Sequence, residues 1–184
     1  MPRQPSLGTI APPPATLTTR TTACKLCLLG PPGVGKSSLA QRLLYDRFPA
    51  AEERPGVTLA ALRLPSVQGE SLTLMIWDVA GNSALDTLGQ AYLSGVDAVA
   101  AVADAGSATS IAQALELIEQ ARRLHPGVAA ALLLNKCDLL SARAVPTKLP
   151  PDVVEHQVSA RDGQGVNAAF IELSTLARGR QRQA

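Results

Sequence analysis

The segment from Gly30 to Ser37 contains the residue types that bind phosphate. It reads Gly-Pro-Pro-Gly-Val-Gly-Lys-Ser, which has the spacing G-x-x-x-x-G-K-S, and it lies between a short apolar run and a helical pattern. Glycines let the backbone wrap around a phosphate, and the first amides of the following helix point toward it. The Lys36 ammonium can neutralise two phosphates, and the Ser37 hydroxyl can bind Mg²⁺. We therefore predict that phosphate is bound by Gly33, Val34, Gly35, Lys36, Ser37 and Ser38.

A second polar cluster, Asn135-Lys136-Cys137-Asp138, follows the most apolar run of the chain, residues 128–134. Ligands of α/β sheets bind where strands end in this way. A carboxylate at Asp138 can accept two hydrogen bonds from N1–H and the exocyclic amine of guanine, whereas adenine has no matching pair of donors. Asn135 can bridge to the phosphate-binding segment and approach the N7/O6 edge, and the Lys136 stem can lie over the base. The spacing N-K-x-D resembles the guanine-binding motif of P-loop GTPases, and this resemblance implies a site that distinguishes guanine from adenine.

These motifs require a fold that alternates strands and helices. After an apolar strand that begins at Lys25, we predict a helix at 35–47, an antiparallel hairpin at 57–65 and 72–77, and strands at 98–103, 128–134 and 153–158. Further helices are predicted at 109–124, with Ile111, Leu115, Ile118 and Leu124 on one face, and at 166–176. This order predicts an α/β fold with a mostly parallel sheet and helices on both faces.

Composition limits the alternatives. The 184 residues suit one domain, and a formal net charge of +2 gives no field that would indicate nucleic-acid or membrane binding. No apolar run reaches the ~18 residues of a membrane-spanning helix. Three cysteines cannot form a closed disulfide framework, which favours an intracellular protein. Cys24 and Cys27 are three residues apart in a predicted strand, so their side chains should point to opposite faces and not share a metal.

Two further motifs complete a family resemblance. Asp78-Val-Ala-Gly81 matches D-x-x-G, 41 residues after Ser37, and Ser159-Ala160-Arg161 follows the Asn135 cluster. With four motifs in order over residues 25–178, the chain resembles the small GTPases of the Ras superfamily. It is nearest the Rab branch, because Met75-Ile-Trp-Asp-Val-Ala-Gly81 is similar to the Rab sequence I-W-D-T-A-G. The resemblance implies the P-loop NTPase (small G-protein) fold, with a six-stranded sheet, one antiparallel edge and five helices. It also implies a GDP/GTP switch that uses Mg²⁺ and hydrolyses GTP, in intracellular trafficking or signalling of the vesicle or ciliary type.

The resemblance also assigns roles to individual residues. Mg²⁺ would be held by Ser37 and Asp78, and catalysis would involve Asn82, Lys36 and Gly81. Guanine would be contacted by Asn135, Lys136, Asp138, Ser159, Ala160, Arg161 and Phe48. Effector and regulator proteins would bind the switch surface between Phe48 and Val57, at Trp77, and between Gly81 and Tyr92.

Several positions depart from the family pattern. Arg54 or Pro55, depending on the alignment, replaces the Thr whose hydroxyl meets Mg²⁺. Asn82 replaces the Gln that orients the attacking water and is one methylene shorter, so we expect slow intrinsic hydrolysis. Pro31 and Pro32 replace small residues and lack the N–H that could donate to phosphate.

Three segments are expected: a flexible Pro/Thr-rich tail at 1–23, a small GTPase domain at 24–178, and a basic tail at 179–184. The first tail could also act as a docking arm or targeting peptide, and the second could touch an anionic surface. The C-terminus carries no Cys for prenylation, and Pro2 stands where myristoylation needs Gly. We therefore expect a soluble, cytoplasmic protein without a direct lipid anchor, recruited to membranes only through a partner protein.

The sequence leaves two other functions open. One is a hydrolysis-deficient guanine-nucleotide-binding module within a larger complex, which the altered switch residues favour. The other is an ATP-using P-loop kinase, against which Asn135, Lys136 and Asp138 argue.

Overall fold

The residues described by the computed structural model, 20–48, 58–67, 70–78, 91, 93–139 and 148–181, alternate between strands and helices. The strands are β1 (Arg20–Leu29), β2 (Thr58–Val67), β3 (Glu70–Asp78), β4 (Ala98–Asp104), β5 (Ala129–Asn135) and β6 (Val153–Gln157). The longer helices in this part of the chain are α1 (Lys36–Tyr45), α2 (Ala108–Leu124) and α3 (Val166–Gln181), and a 3-10 helix covers Cys137–Leu139.

The strands form one six-stranded sheet in the order β2-β3-β1-β4-β5-β6. Strand β2 runs antiparallel to β3, and the other four neighbouring pairs are parallel. The predicted fold class, including the antiparallel hairpin at one edge, is therefore confirmed. The register aligns Leu28 of β1 with Asp78 of β3, and Asp104 of β4 with Asn135 of β5. Because β3, β1, β4 and β5 are parallel neighbours, their carboxyl ends lie at the same end of the sheet.

Helices cover both faces of the sheet. On β1, Cys24, Leu26 and Leu28 pack in the core beneath α1 and α3, and Cys27 and Leu29 pack in the core beneath α2. Strands β4 and β5 lie between the two cores and are buried along nearly their whole length. This position explains why their sequences are apolar without alternation.

The two cysteines of β1 lie on opposite faces, as their spacing predicts. Burial raises the pKa of Cys24 to about 12 and that of Cys27 to about 11, so both remain thiols at neutral pH. Their arrangement does not support shared metal binding or redox chemistry.

Three predictions were wrong: the start of the first strand at Lys25, the end of the last helix at 176, and the placement of Leu124 on the packed face of its helix. Strand β1 begins at Arg20, inside the predicted N-terminal tail, because Arg20 pairs with Glu70 at the start of β3. Helix α3 continues beyond 178, where Arg180 donates to the carbonyl oxygens of Gly127 and Val128. Leu124 is exposed because it is the last residue of α2, beyond the helix's buried face.

None of the helices in the described part is both long and apolar enough to span a lipid bilayer.

Candidate nucleotide site

The phosphate-binding segment is a tight loop between β1 and α1. Gly30 and Gly35 have φ angles of 145° and 96°. A Cβ at Gly30 would lie 2.3 Å from the Val102 carbonyl oxygen, and one at Gly35 would lie 2.4 Å from Nδ2 of Asn135. Glycine is therefore required at both positions by backbone conformation and by space.

Lys36 is held by the loop that precedes it. Its side chain turns back so that Nζ donates to the carbonyl oxygens of Gly30, at 2.8 Å, and Pro31, at 3.1 Å. Only 7% of the residue is exposed. Pro31 has no amide hydrogen for a phosphate, but its carbonyl oxygen helps to fix the ammonium of Lys36 inside the loop.

The first turn of α1 provides amide donors for an anion. Gly35 is the N-cap, and no side chain caps the helix. Ser37 is exposed, Ser38 is half-buried and Val34 is buried in the core. Because the first amides of a helix have no intrahelical acceptor, this end of α1 has the geometry and the dipole of a phosphate site.

Asn135 joins three segments of the site. It is the last residue of β5 and is 1% exposed. Its Nδ2 donates to the Val34 carbonyl oxygen at 2.7 Å, and its Oδ1 accepts from the Ala160 amide at 3.0 Å. The first bond is the bridge to the phosphate loop that the motif predicts. The second occupies the amide of Ala160, one of the residues that the resemblance assigns to guanine, so a base oxygen at that amide would share its hydrogen in a three-centre bond.

The Asp138 carboxylate is oriented by the loop after β6. The Ser159 hydroxyl donates to Asp138 Oδ1 at 2.7 Å, and Ser159 itself is fully buried. Arg161 Nη1 lies 3.9 Å from Asp138 Oδ2, and the Arg161 side chain is mostly exposed. The Asp138 side chain is 13% exposed, which leaves it a narrow access to a ligand.

Lys136 is positioned by a residue that the sequence analysis missed. Its φ is 65°, and Nζ lies 2.8 Å from Oδ2 of Asp104, the last residue of β4. Partial burial raises the pKa of Asp104, but hydrogen bonds from Lys136 and from the Gly106 amide outweigh it and hold the pKa below its usual value. An acidic residue at the end of a buried strand next to β5 was the available signal.

The remaining predicted residues are described only in part. Phe48 lies beyond the end of α1 and is 52% exposed, and Trp77 packs against the core beneath α2 with Lys25 Nζ 4.4 Å from its ring centroid. Asp78 ends β3, beside Leu28 of β1. Gly81, Asn82 and the positions 49–57, 79–90 and 92 lie outside the described residues.

The Ser37 hydroxyl is suited to bind a Mg²⁺ ion that takes its other ligands from phosphate and water. Within the described ranges, no group of three or more His, Cys, Asp or Glu side chains forms a metal site of its own. Mg²⁺ is usually held by one or two protein oxygens with the rest from phosphate and water. The exposed Ser37 hydroxyl at the phosphate end of α1 is one such oxygen.

Comparison with known proteins agrees with this arrangement. The model of the Ras family matches residues 25–178. Ras-related protein Rab-22A of Canis lupus familiaris is 30% identical over 158 residues, which are 82% of this chain and 81% of that protein. Ras-related protein Rab-5A of Dictyostelium discoideum is 31% identical over 82% of this chain and 78% of its own length. GTP-binding protein ypt5 of Schizosaccharomyces pombe is 31% identical over 82% and 75%. With the phosphate loop, the Asn135 bridge and the sheet order in place, the chain belongs to the Ras family of small GTPases and is Rab-like.

Proposed function

We propose that this protein is a switch that binds GDP and GTP with Mg²⁺ and hydrolyses GTP slowly. The observation that carries the proposal is the pair of Asn135 bonds, at 2.7 and 3.0 Å, which joins the loop suited to phosphate to the loop suited to guanine. The name of one relative, the GTP-binding protein ypt5, is consistent with the same ligand.

In this proposal, the phosphates lie against the amides from Gly33 to Ser38, with the Lys36 ammonium beside them. Guanine is bound by Asp138, oriented by Ser159 and flanked by Arg161, with Lys136 and Phe48 beside the base. Asn135 and Ala160 hold the two halves of the site together and approach the base edge.

Mg²⁺ would be held by the Ser37 hydroxyl and by Asp78, with phosphate oxygens completing its shell. When bound, it supplies positive charge that neutralises the phosphate oxygens. Ser37 stands at the start of α1, and Asp78 stands at the end of β3. Strand β1 pairs with β3 and leads through the phosphate loop into α1.

Hydrolysis in this proposal is an attack by water on the γ-phosphate, which breaks its bond to the oxygen bridging to the β-phosphate and releases GDP and inorganic phosphate. Lys36 and the Gly81 amide would contact the phosphate, and Asn82 would orient the water. Asn82 is one methylene shorter than the family's Gln, about 1.5 Å. A misplacement of about 1 Å costs ~100-fold. We therefore expect an intrinsic rate below the roughly 10⁻⁴ s⁻¹ of the family.

The proposal is tested by the binding of fluorescent GDP and of a non-hydrolysable GTP analogue, with and without Mg²⁺. Tight, Mg²⁺-dependent binding of both, with ATP unable to compete, supports the switch. Equal competition by ATP would refute guanine specificity, and GDP binding that ignores Mg²⁺ together with weak analogue binding would refute the switch.

Single-turnover hydrolysis then tests the catalytic part. The Asn82→Gln variant should hydrolyse bound GTP faster than the wild type, while its GDP affinity stays the same. An unchanged rate would mean that Asn82 does not limit the reaction. No detectable hydrolysis in either protein would favour a binding module over an enzyme.

We also propose that effector and regulator proteins bind around Phe48 and Trp77, in intracellular trafficking or signalling, and that a partner protein brings the chain to its membrane. The Rab-named relatives support this context.

A further inference from the structure

Arg42 joins the phosphate-binding helix to the loop of Ser159, Ala160 and Arg161, here called the base loop. It lies in α1 with a side chain that is only 14% exposed. Its Nε donates to the Ala160 carbonyl oxygen at 2.9 Å, and its Nη2 donates to the Arg161 carbonyl oxygen. Two consecutive carbonyl groups of the base loop are therefore bound by one guanidinium.

The other edge of the same guanidinium is fixed to the end of α1. Nη1 donates to the Asp46 backbone oxygen at 2.9 Å and to Asp46 Oδ1 at 3.1 Å. Asp46 is the C-cap residue of α1. Arg42 is thus oriented by its own helix as well as by the base loop, which lies 118 residues further along the chain.

One residue of the base loop, Ala160, is held through both its backbone amide and its backbone carbonyl. The Ala160 amide donates to Asn135, and the Ala160 carbonyl accepts from Arg42. The neighbouring Ser159 hydroxyl orients Asp138. Any movement of this loop away from α1 would therefore also shift the Ser159–Asp138 hydrogen bond.

We infer that Arg42 is a positioning residue for base recognition, acting through the paired carbonyl bonds of its guanidinium. It touches no nucleotide atom itself; it holds the base loop so that Ser159 and Asp138 face the base correctly. This role rests on the proposed guanine binding. Arg42 is six residues after Lys36, about 9 Å along the helix, so α1 places a phosphate group at one end and a base-loop support toward the other.

The inference depends on the guanidinium and not on charge alone. Arginine presents several N–H donors in a rigid plane, whereas lysine carries a single ammonium on a flexible stem. A lysine at this position would retain the attraction to Asp46 but could not bind both carbonyl oxygens with the same geometry.

The test measures the affinities of GDP and ADP for the full chain by displacement of fluorescent GDP, and reports their ratio. In Arg42→Met, we expect the GDP-to-ADP affinity ratio to fall about tenfold, equivalent to 1.4 kcal/mol. ADP binds through its phosphates, so its affinity should change little. A general loss of folded protein would lower both affinities together and leave the ratio unchanged.

Two further variants keep the test decisive. Arg42→Lys, which retains the charge, should give a ratio between those of the wild type and Arg42→Met, and it replaces Arg42→Met if that variant does not fold. Asp46→Asn removes the carboxylate charge but keeps two acceptors for Nη1, the backbone oxygen and a side-chain amide oxygen, so Arg42 stays oriented and its bonds to the base loop remain. Asn also suits the positive φ of 50° there. Its ratio should equal that of the wild type.

The failure of this inference is distinct from that of the proposed function. A wild-type ratio near one would overturn guanine recognition itself, and with it the role of Arg42. A wild-type preference for GDP that persists within twofold in Arg42→Met, or in full in Arg42→Lys, would overturn the role of Arg42 alone.

Discussion

Replacement of Asn135 by Ala should destabilise the protein even before any nucleotide binds. The amide side chain is buried and has a partner at each end: the Val34 carbonyl oxygen at 2.7 Å and the Ala160 amide at 3.0 Å. Val34 and Ala160 are themselves only 3% and 4% exposed, so water has little access to the groups that Asn135 leaves behind.

The magnitude follows from these two orphaned groups. A buried donor or acceptor that loses its partner costs about 1–3 kcal/mol, so two of them cost about 2–6 kcal/mol. Domains of this kind unfold with about 5–15 kcal/mol. Asn135→Ala should therefore remove a large part of the free energy of unfolding, and it should accelerate GDP release because the phosphate loop and the base loop lose their connection.

Urea unfolding in the absence of nucleotide, followed by circular dichroism, measures the first effect. The midpoint should move to lower urea at an unchanged slope, which identifies a loss of stability and not a change in compactness. Asn167→Ala is the matched control: Asn167 is exposed in the first turn of α3, and its replacement should change stability by no more than about 0.5 kcal/mol.

The reasoning fails if nucleotide-free Asn135→Ala unfolds within about 1 kcal/mol of the wild type, the least that one orphaned buried group would cost. Such a result would mean that the loops relax to let water or other groups satisfy Val34 and Ala160. It would also mean that the Asn135 bonds contribute little to holding the two loops together.

Two further predictions concern the phosphate loop and the Lys136 contact, and a third concerns helix α3. Gly35→Ala should destabilise the protein by about 2 kcal/mol or more, because a Cβ at φ 96° would lie 2.4 Å from Nδ2 of Asn135; thermal unfolding measures this, and wild-type stability would show that the loop adapts. Gly179→Ala should have the opposite effect: Gly179 lies in helix α3, and the added Cβ would extend into open space, so this variant should be more stable by about 0.5–1 kcal/mol in the same assay. Asp104→Asn breaks an ion pair with Lys136 whose two side chains are each about one-third exposed, and should cost about 0.5–1 kcal/mol at pH 7. Because the pKa of Asp104 is lowered by folding, its contribution is present above the unfolded value of about 3.9 and is lost as the pH falls through the lower folded value. The difference between the Asp104→Asn variant and the wild type should therefore stay constant from pH 5 to 8 and shrink below about pH 4; urea titrations over this range test it, and a difference that persists in acid would contradict the ion-pair explanation.

Local sequence was sufficient to predict most of the fold. Strands β4 and β5 are buried on both faces, so they appear as short apolar runs, and Asn135 is the polar residue that ends one of them. The phosphate loop could be predicted because φ angles such as 96° at Gly35 demand glycine at fixed spacing. These features depend on residues close together in the chain, where pattern and structure coincide.

The missed residues depend on distant contacts. Arg42 looks like an ordinary polar residue of an amphipathic helix, and its function follows from a carbonyl group 118 residues away. Asp104 lies 32 residues from its partner Lys136. The start of β1 was missed for the same reason: its first residues are polar, and they are strand because β3 lies beside them. No local periodicity contains such information.

The same long-range contacts couple nucleotide binding to folding. The groups proposed to bind nucleotide are held by bonds into the body of the fold: Asn135 is bonded to Val34, Ala160 to Arg42, and Lys136 to Asp104. An unfolded chain has none of these connections and presents no site, so a ligand that binds the folded form alone must stabilise it. At a GDP concentration 1,000 times its dissociation constant, the gain is about 4.1 kcal/mol. Asn135→Ala should reduce this gain as well as the nucleotide-free stability, whereas Gly179→Ala, on a surface away from these bonds, should raise the stability and leave the gain unchanged.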